Sequence, residues 1–512
     1  MNLPPNVSPR DSDVIPGTTS PRFEAGQPMS STRHLPGLLL LAVPLSIGLV
    51  ALMLPVDPVD SGGPRSSMSV ASQVMTPATV PASAPESAPS THEGTARYWP
   101  QWRGPLGTGV APFANPPIRW SETENIRWKT ELEGTGHSTP ILWRNKIFVT
   151  TAVPTGESLP ARFSMAPGGH DEVPITHRHR FVVMAIDRRD GKILWDRTLR
   201  EELPHEGGHR TASLASASPV TDGEHLIVSF GSRGLYGLDL EGNVLWQVDF
   251  GDLHSLHGHG EGSSPALHGD AVVISWDQEG KSFLATLDKS TGQERWRVDR
   301  VPSTSWSTPI VVESNGRFQI LACGSERIHG YDLLTGETIW ECSGLSKENV
   351  VATPVTGNGL VYFGSSYDRP GVFAVRYGGA SGDISGTDRI VWKIKQGAPY
   401  VPSPLLYGRA LYFLYQFQGI FSRVDAVTGK GRPGRFRLNG LRTVFASPLG
   451  ADGRVYVAGR EGTTLVIRND DAPTVLATNH LDDSFSASPI ACDSDLYLRG
   501  ERFLYCLSDR AR

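Results

Sequence analysis

The sequence predicts an all-β chain: an eight-bladed β-propeller of four-stranded blades whose N-terminal strand closes the last blade, preceded by a transmembrane helix and a disordered tether. Three observations carry this expectation. A small-x-Pro mark recurs eight times at near-constant spacing, an Asp-Gly-Trp turn recurs between the marks, and the first tryptophan strand precedes the first mark while the last unit lacks one.

Composition agrees with such a fold. The 512 residues include 55 Gly and 39 Pro, which favours many turns and few long helices. A formal net charge of −5 lacks the basic footprint of a nucleic-acid binder, so no nucleic-acid partner is expected. Cys323, Cys342, Cys492 and Cys506 are far apart and form no CxxC. That spacing argues against a cysteine zinc site or a disulfide-rich scaffold, and leaves one or two bridges open in an oxidising compartment.

Residues 1–34 read as a disordered polar leader. Residues 35–55, LPGLLLLAVPLSIGLVALMLP, are an uncharged run of 21. As a helix rising about 1.5 Å per residue, such a run spans a hydrocarbon core about 30 Å thick. Pro44 would kink it, which a membrane helix tolerates. The run exceeds the roughly 7–15 apolar residues of a signal peptide, so an uncleaved anchor is favoured over a cleaved signal. Arg22, Arg33 and His34 precede it while Asp57 and Asp60 follow, which places the N-terminus in the cytoplasm. The expected location is the inner membrane, single-pass, with the folded part on the periplasmic side. Residues 56–97 are rich in Pro, Ser, Ala and Thr and read as a tether, because they have too few apolar side chains to offset the entropy of ordering.

The repeat occupies residues 98–512. Its proline marks are Ser138-Thr139-Pro140, Ala217-Ser218-Pro219, Ser263-Ser264-Pro265, Ser307-Thr308-Pro309, Ala352-Thr353-Pro354, Pro402-Ser403-Pro404, Ala446-Ser447-Pro448 and Ala487-Ser488-Pro489. Successive prolines are 41–50 residues apart except for one gap of 79, and segment 154–179 accounts for the excess as a loop inserted in one repeat. The second mark is Asp187-Gly191-Trp195, Asp288-Gly292-Trp296 and Asp332-Gly336-Trp340, with Asp239-Gly242-Trp246 one residue shorter. Asp accepts amide hydrogen bonds in such a turn and Gly supplies a positive φ. The following strand then carries a large flat side chain at a fixed place. Trp128 and Trp392 are expected at the same place in other repeats, and the six tryptophans are expected to pack between neighbouring blades. Two further strand-like runs lie between the marks, as in HLIVSF (225–230) and LYGLDL (235–240). Four strands per 41–50 residues is the period of a propeller blade. A unit that small does not bury its own core, so a string of separate sandwich domains is disfavoured. The strand at 126–132 is expected to complete the last blade and so to cover two open sheet edges.

The D-x-x-T-G-x-x-x-W turn with its small-x-Pro strand start resembles the tryptophan-docking repeat of quinoprotein-type propellers, whose cofactor is pyrroloquinoline quinone. It also resembles the non-enzymatic propeller of the outer-membrane protein assembly machinery. The segments YWPQWRGPLGTG (98–109), NIRWKTELEGTGHSTPI (125–141) and LHGHGEGSSPALHGD (256–270) resemble membrane-anchored or exported bacterial propellers of this class. The resemblance covers about residues 98–509 and is specific for fold rather than function, since one scaffold hosts dehydrogenases and scaffolding proteins alike. For a quinone-dependent dehydrogenase it implies a cofactor over the axis, a calcium ion, a carboxylate base and a disulfide between adjacent cysteines. No two cysteines here are adjacent, the chamber-building insertions are missing, and no catalytic position matches.

Candidate binding residues follow from propeller geometry. Residues just before the proline marks start the innermost strands, so His137, Glu261, Trp306, Tyr400, Phe445 and Phe485 are expected to ring one mouth of the channel. Asp277, Arg369 and Arg460 follow second-strand runs and are expected on the rim. An aromatic and polar ring of this kind suits a sugar, a peptide or a cofactor; side chains and water plugging the channel is the plainer alternative. His257, His259 and Glu261 are the candidate metal ligands, offering N and O donors to zinc or copper, although the glycines at 258, 260 and 262 point to a loop of ordinary polar contacts.

The expected function is an exported, membrane-tethered scaffold for envelope proteins or polymers, built on a monomeric propeller, with no catalytic set and no cofactor. The alternative is a quinone-dependent oxidoreductase of an alcohol or aldose sugar, using the quinone with calcium. A third reading is a metal or small-ligand sensor that uses the His-rich loop.

Overall fold

The computed structural model describes residues 92–509, Arg369 excepted. These residues form eight antiparallel blades around a common axis. Blade 3 shows the pattern: Ala266–His268 innermost, then Ala271–Trp276, Ser282–Asp288 and Glu294–Arg300 outermost. Blades 1, 2, 4, 5, 6 and 7 occupy 141–202, 220–248, 310–343, 355–394, 405–437 and 449–480. In blade 8, Ile490–Cys492, Asp495–Arg499 and Phe503–Leu507 are completed by Ile126–Glu131 from the start of the propeller. Trp128 lies opposite Cys506 and Glu131 opposite Phe503, so the chain closes on itself as the displaced tryptophan strand implied.

The second and third strands of each blade have neighbours on both faces. They are therefore almost continuously apolar and buried, as Ala271–Trp276 is throughout, while the outermost strand alternates. The core is accordingly a set of layers between blades. Ile227, Leu235 and Trp246 of blade 2, for example, pack on Val272, Ile274 and Phe283 of blade 3.

Tryptophans lock five of the eight layers. Nε1 of Trp246 donates to the Lys289 carbonyl at 2.7 Å, and its ring lies over Gly292 in the next blade. Gly292 has φ +69°, and a Cβ there would stand 2.6 Å from the ring, so both backbone and space require glycine. The same contact joins Trp128 to Arg188, Trp195 to Leu240, Trp296 to Leu333 and Trp392 to Ala426. Trp340 differs. Its Nε1 donates to Gln319 Oε1 in its own blade at 2.9 Å, because blade 5 replaces the Asp-Gly turn by a longer excursion. Gly382–Asp383 from that excursion adds a parallel fifth strand beside Trp340.

The expected leader (1–34), anchor (35–55) and most of the tether (56–97) lie outside the described residues. Among the described residues no helix is long and apolar enough to cross a membrane. The end of the expected tether is structured: His92–Ala96 is a short helix and Arg97 pairs with Asp493 at 3.1 Å. The insertion in blade 1 is more than a loop. It prolongs two strands, Lys146–Thr155 and Arg178–Asp187, and its Glu172–Val173 pairs with Gly208–His209.

Candidate functional site: a blind channel with a two-sided mouth

A closed ring of hydroxyls surrounds the axis. The residue before each marked proline is Ser or Thr in all eight repeats. Proline holds that residue extended, so its N–H points sideways to the next blade. The N–H of Thr139 donates to Ser218 Oγ, Ser218 to Ser264, Ser264 to Thr308, Thr308 to Thr353, Thr353 to Ser403, Ser403 to Ser447 and Ser447 to Ser488, at 2.9–3.3 Å. Ser488 then donates to Thr139 Oγ1 at 3.3 Å and completes the circuit. All eight residues are buried and line one cavity of about 850 Å³.

Segment 98–116 lies across the channel on the far side of this ring. It hydrogen-bonds in turn to innermost strands, Trp99 with Leu142, Pro100 with Thr221, Thr108 with Leu406, and Gly109 and Ala111 with Gly450, and then to the turn after the innermost strand of blade 8, Asn115 with Asp493. Trp102 reaches into the cavity and donates to Thr353 Oγ1 at 2.9 Å. Arg103 is fully buried and donates to the carbonyls of Pro404 at 2.8 Å and Pro448 at 3.0 Å. Burial without a carboxylate lowers its pKa to about 9. The channel is therefore blind, with its mouth on the side of residues that precede the ring.

The mouth has two unlike sides. Blades 5 to 7 supply a run of aromatic rings: Tyr367 stacks on Tyr400 at 6.2 Å between centroids, Tyr400 meets Phe417 at 6.3 Å, and Phe417 meets Phe445 at 5.7 Å. Tyr367 is 54% exposed and Phe417 37%, so an apolar face is open to solvent. The Arg460 guanidinium lies over Phe445 at 5.1 Å. Blades 1 to 3 and the insertion supply imidazoles: His137, His170, His209 and His259. A side pocket of about 500 Å³ extends from this side between the insertion and blades 2 and 3. Burial, with Arg499 and Arg460 nearby, lowers the His137 pKa to about 3, so this imidazole is neutral at ordinary pH. Burial and the neighbouring imidazoles likewise lower His259 to about 4.

The residues expected at the mouth are divided by the structure. His137, Glu261, Trp306, Tyr400, Phe445 and Arg460 line the cavity. Phe485 does not; it is fully buried and packs on Tyr505, because its side chain turns into the layer between blades. Asp277 is also displaced from the rim. It is buried against Arg300, which donates to its oxygens at 2.8 and 3.0 Å, and burial raises its pKa. Arg369 lies outside the described residues. Glu261 does not join His257 and His259 as a ligand set. Its Oε2 accepts from the Ser232 N–H at 2.7 Å, and its Oε1 accepts from Ser232 Oγ at 2.7 Å and Arg233 Nη1 at 2.5 Å. His257 sits in a short 3₁₀ turn with φ 55°, away from any strand. Sequence reasoning missed Tyr367, Phe417, His170 and His209, which stand between the blade strands at places with no repeating position.

The family model described as "Outer membrane protein assembly factor BamB" (PQQ_2) matches residues 118–249 and 179–432, together more than half of the chain. The chain belongs to this family. No curated protein matches it. Among solved structures, BamB from Moraxella catarrhalis is 14% identical, covering 71% of this chain and 99% of its own, with a TM-score of 0.47. A europium-containing methanol dehydrogenase is 10% identical, covering 79% and 89%, with a TM-score of 0.52. The quinohemoprotein alcohol dehydrogenase ADHIIG from Pseudomonas putida HK5 is 12% identical, covering 82% of each chain, also at 0.52. At these identities the likeness to the two dehydrogenases is one of fold.

The PQQ_2 fold thus raises a quinone and a calcium ion as groups to test against the residues present, and they fit poorly. All four cysteines are free and buried, so the adjacent-cysteine disulfide has no counterpart. Calcium takes six to eight or so oxygen ligands. Here Glu261 is held by Ser232 and Arg233, and Asp277 by Arg300, so both carboxylates expected at the mouth are already engaged.

Proposed function

We propose that this PQQ_2-family propeller is an interaction scaffold of the bacterial envelope, tethered to the inner membrane through residues 35–55, that grips a segment of a partner protein at its channel mouth. The observation that carries the reading is the run of four aromatic rings, Tyr367, Tyr400, Phe417 and Phe445. Two of them are open to solvent on a rigid rim. Partly exposed aromatic side chains anchored by their neighbours are the usual energetic centres of protein interfaces. The blind channel behind them accepts a loop or chain end without letting it pass. The family's description as an assembly factor supports the same direction. The misfit of quinone and calcium to the mouth residues weighs against the oxidoreductase alternative.

The test is affinity purification of the full chain from its membranes, beside a Tyr367→Ser, Phe417→Ser variant. The expected result is a stoichiometric partner with the parent, lost from the variant, and no dye reduction with alcohols or aldose sugars when quinone and calcium are supplied. Quinone-dependent dye reduction by the parent, or equal partner recovery by the variant, would overturn the reading.

A further inference from the structure

The insertion of blade 1 folds over the mouth and brings imidazoles from three segments together. The His170 ring lies 5.7 Å from His209, 4.9 Å from His259 and 6.0 Å from His257 between centroids. His209 and His259 are 5.1 Å apart. Asp171 stands beside His170, and one donor atom from each of His170, Asp171 and His209 lies within 4.8 Å of the other two.

Nδ1 of His170 faces the Gly168 carbonyl at 3.3 Å. Nδ1 of His209 has both Thr211 Oγ1 at 2.7 Å and the Thr211 N–H at 3.3 Å; the tautomer that donates to Thr211 Oγ1 frees its Nε2 for the cluster. An oxygen partner on the far nitrogen is what fixes a metal-binding imidazole. Nε2 of His259 is buried and has no hydrogen-bond partner, a costly arrangement unless another ligand takes it. We propose that His170, Asp171 and His209 bind a divalent transition metal of the zinc or copper class, and that His259, whose ring lies 4.9 Å from His170 but outside this three-donor group, turns in as the fourth donor. Three imidazoles and one carboxylate select such ions over calcium or magnesium. The bound ion clips the insertion to the loops that enter blades 2 and 3, and so sets one wall of the mouth. Arg210 approaches Asp171 at 3.5 Å, an exposed ion pair that contributes little and is readily exchanged for a metal bond. The nearby group His205, Glu206 and His254 is a poorer candidate, because both nitrogens of His205 are engaged, Nδ1 with Arg233 Nη2 at 3.2 Å and Nε2 with the Leu253 carbonyl at 3.1 Å.

The test uses the full chain, stripped with chelator and titrated separately with zinc and copper chloride. Calorimetry, melting temperature and tryptic cleavage at Arg162 are the readouts. The expected result is one zinc or copper ion per chain, a higher melting temperature and slower cleavage. His170→Ala and Asp171→Ala alter exposed side chains and leave metal-free melting unchanged, but lower affinity by about 10-fold or more. His254→Ala keeps parental affinity. The proposal is overturned if the parent binds neither metal, if both insertion variants bind like the parent, or if His254→Ala is the variant that loses binding.

Discussion

The backbone N–H of Ser488 donates to Thr139 Oγ1 at 3.3 Å, joining residues 349 positions apart. It is the bond across the seam, where blade 8 meets blade 1, and it turns seven local contacts into a closed circuit of eight. Each member is buried, and each hydroxyl accepts the N–H of the preceding member.

The ring is therefore expected to be a stability element. Ser403→Ala strands the buried N–H of Thr353 and should cost about 1–3 kcal/mol in urea unfolding. Ser403→Thr should cost less, since it keeps the oxygen. Equal stability of the alanine variant would remove the ring from the account.

Interblade locking makes a second prediction. Gly292→Ala places a methyl 2.6 Å from the Trp246 ring at a left-handed φ, and should destabilise by about 1–3 kcal/mol. Trp296→Ala, which empties the layer between blades 3 and 4, should cost about 3–5 kcal/mol. Both are read as shifts of the denaturation midpoint.

The turn aspartates set the response to acid. The Arg295 guanidinium and then the Ser290 and Thr291 donors hold the Asp288 carboxyl at about 2, below its ordinary value of 3.8. A lowered folded value means stability that is present above 3.8 and lost as pH falls through about 2. Asp288→Asn should be less stable than the parent at pH 6, and the gap should narrow below pH 4. A gap that widens on acidification contradicts this.

The far end of the channel gives a fourth. Arg103→Ala leaves the Pro404 and Pro448 carbonyls without their donor and should loosen segment 98–116. Limited proteolysis should then cut near residue 103 before the blades unfold, whereas the parent resists. Unchanged protection would show that the backbone bonds alone seat the segment.

The architecture was legible because a propeller repeats. Strand count, closure by Ile126–Glu131 and the tryptophan positions all follow from periodic marks, and an insertion shows up as a break in spacing. The hydroxyl ring is equally visible in the sequence, since the middle position of the small-x-Pro mark is Ser or Thr eight times, but a residue type alone does not say that the eight hydroxyls join across blades. The mouth was only half legible. Strand starts such as His137 and Tyr400 have a register, so their place near the axis could be inferred, but register does not say which way a side chain turns. Phe485 turned into the core, and Asp277 was captured by Arg300, a partner from the outermost strand. Tyr367, Phe417 and His170 come from irregular connections whose paths depend on tertiary packing, and Glu261 was drawn from the histidines by Arg233, 28 residues away in sequence.

The most direct test of the mouth as a partner-binding surface is photocrosslinking in intact cells, with a photoreactive phenylalanine analogue at position 417 on the aromatic rim and, separately, at position 334 on an exposed outer turn. The account predicts one discrete adduct from position 417, abolished by Tyr367→Ser, and none from position 334. Equal adducts from both positions, or an adduct from position 334 alone, would contradict it.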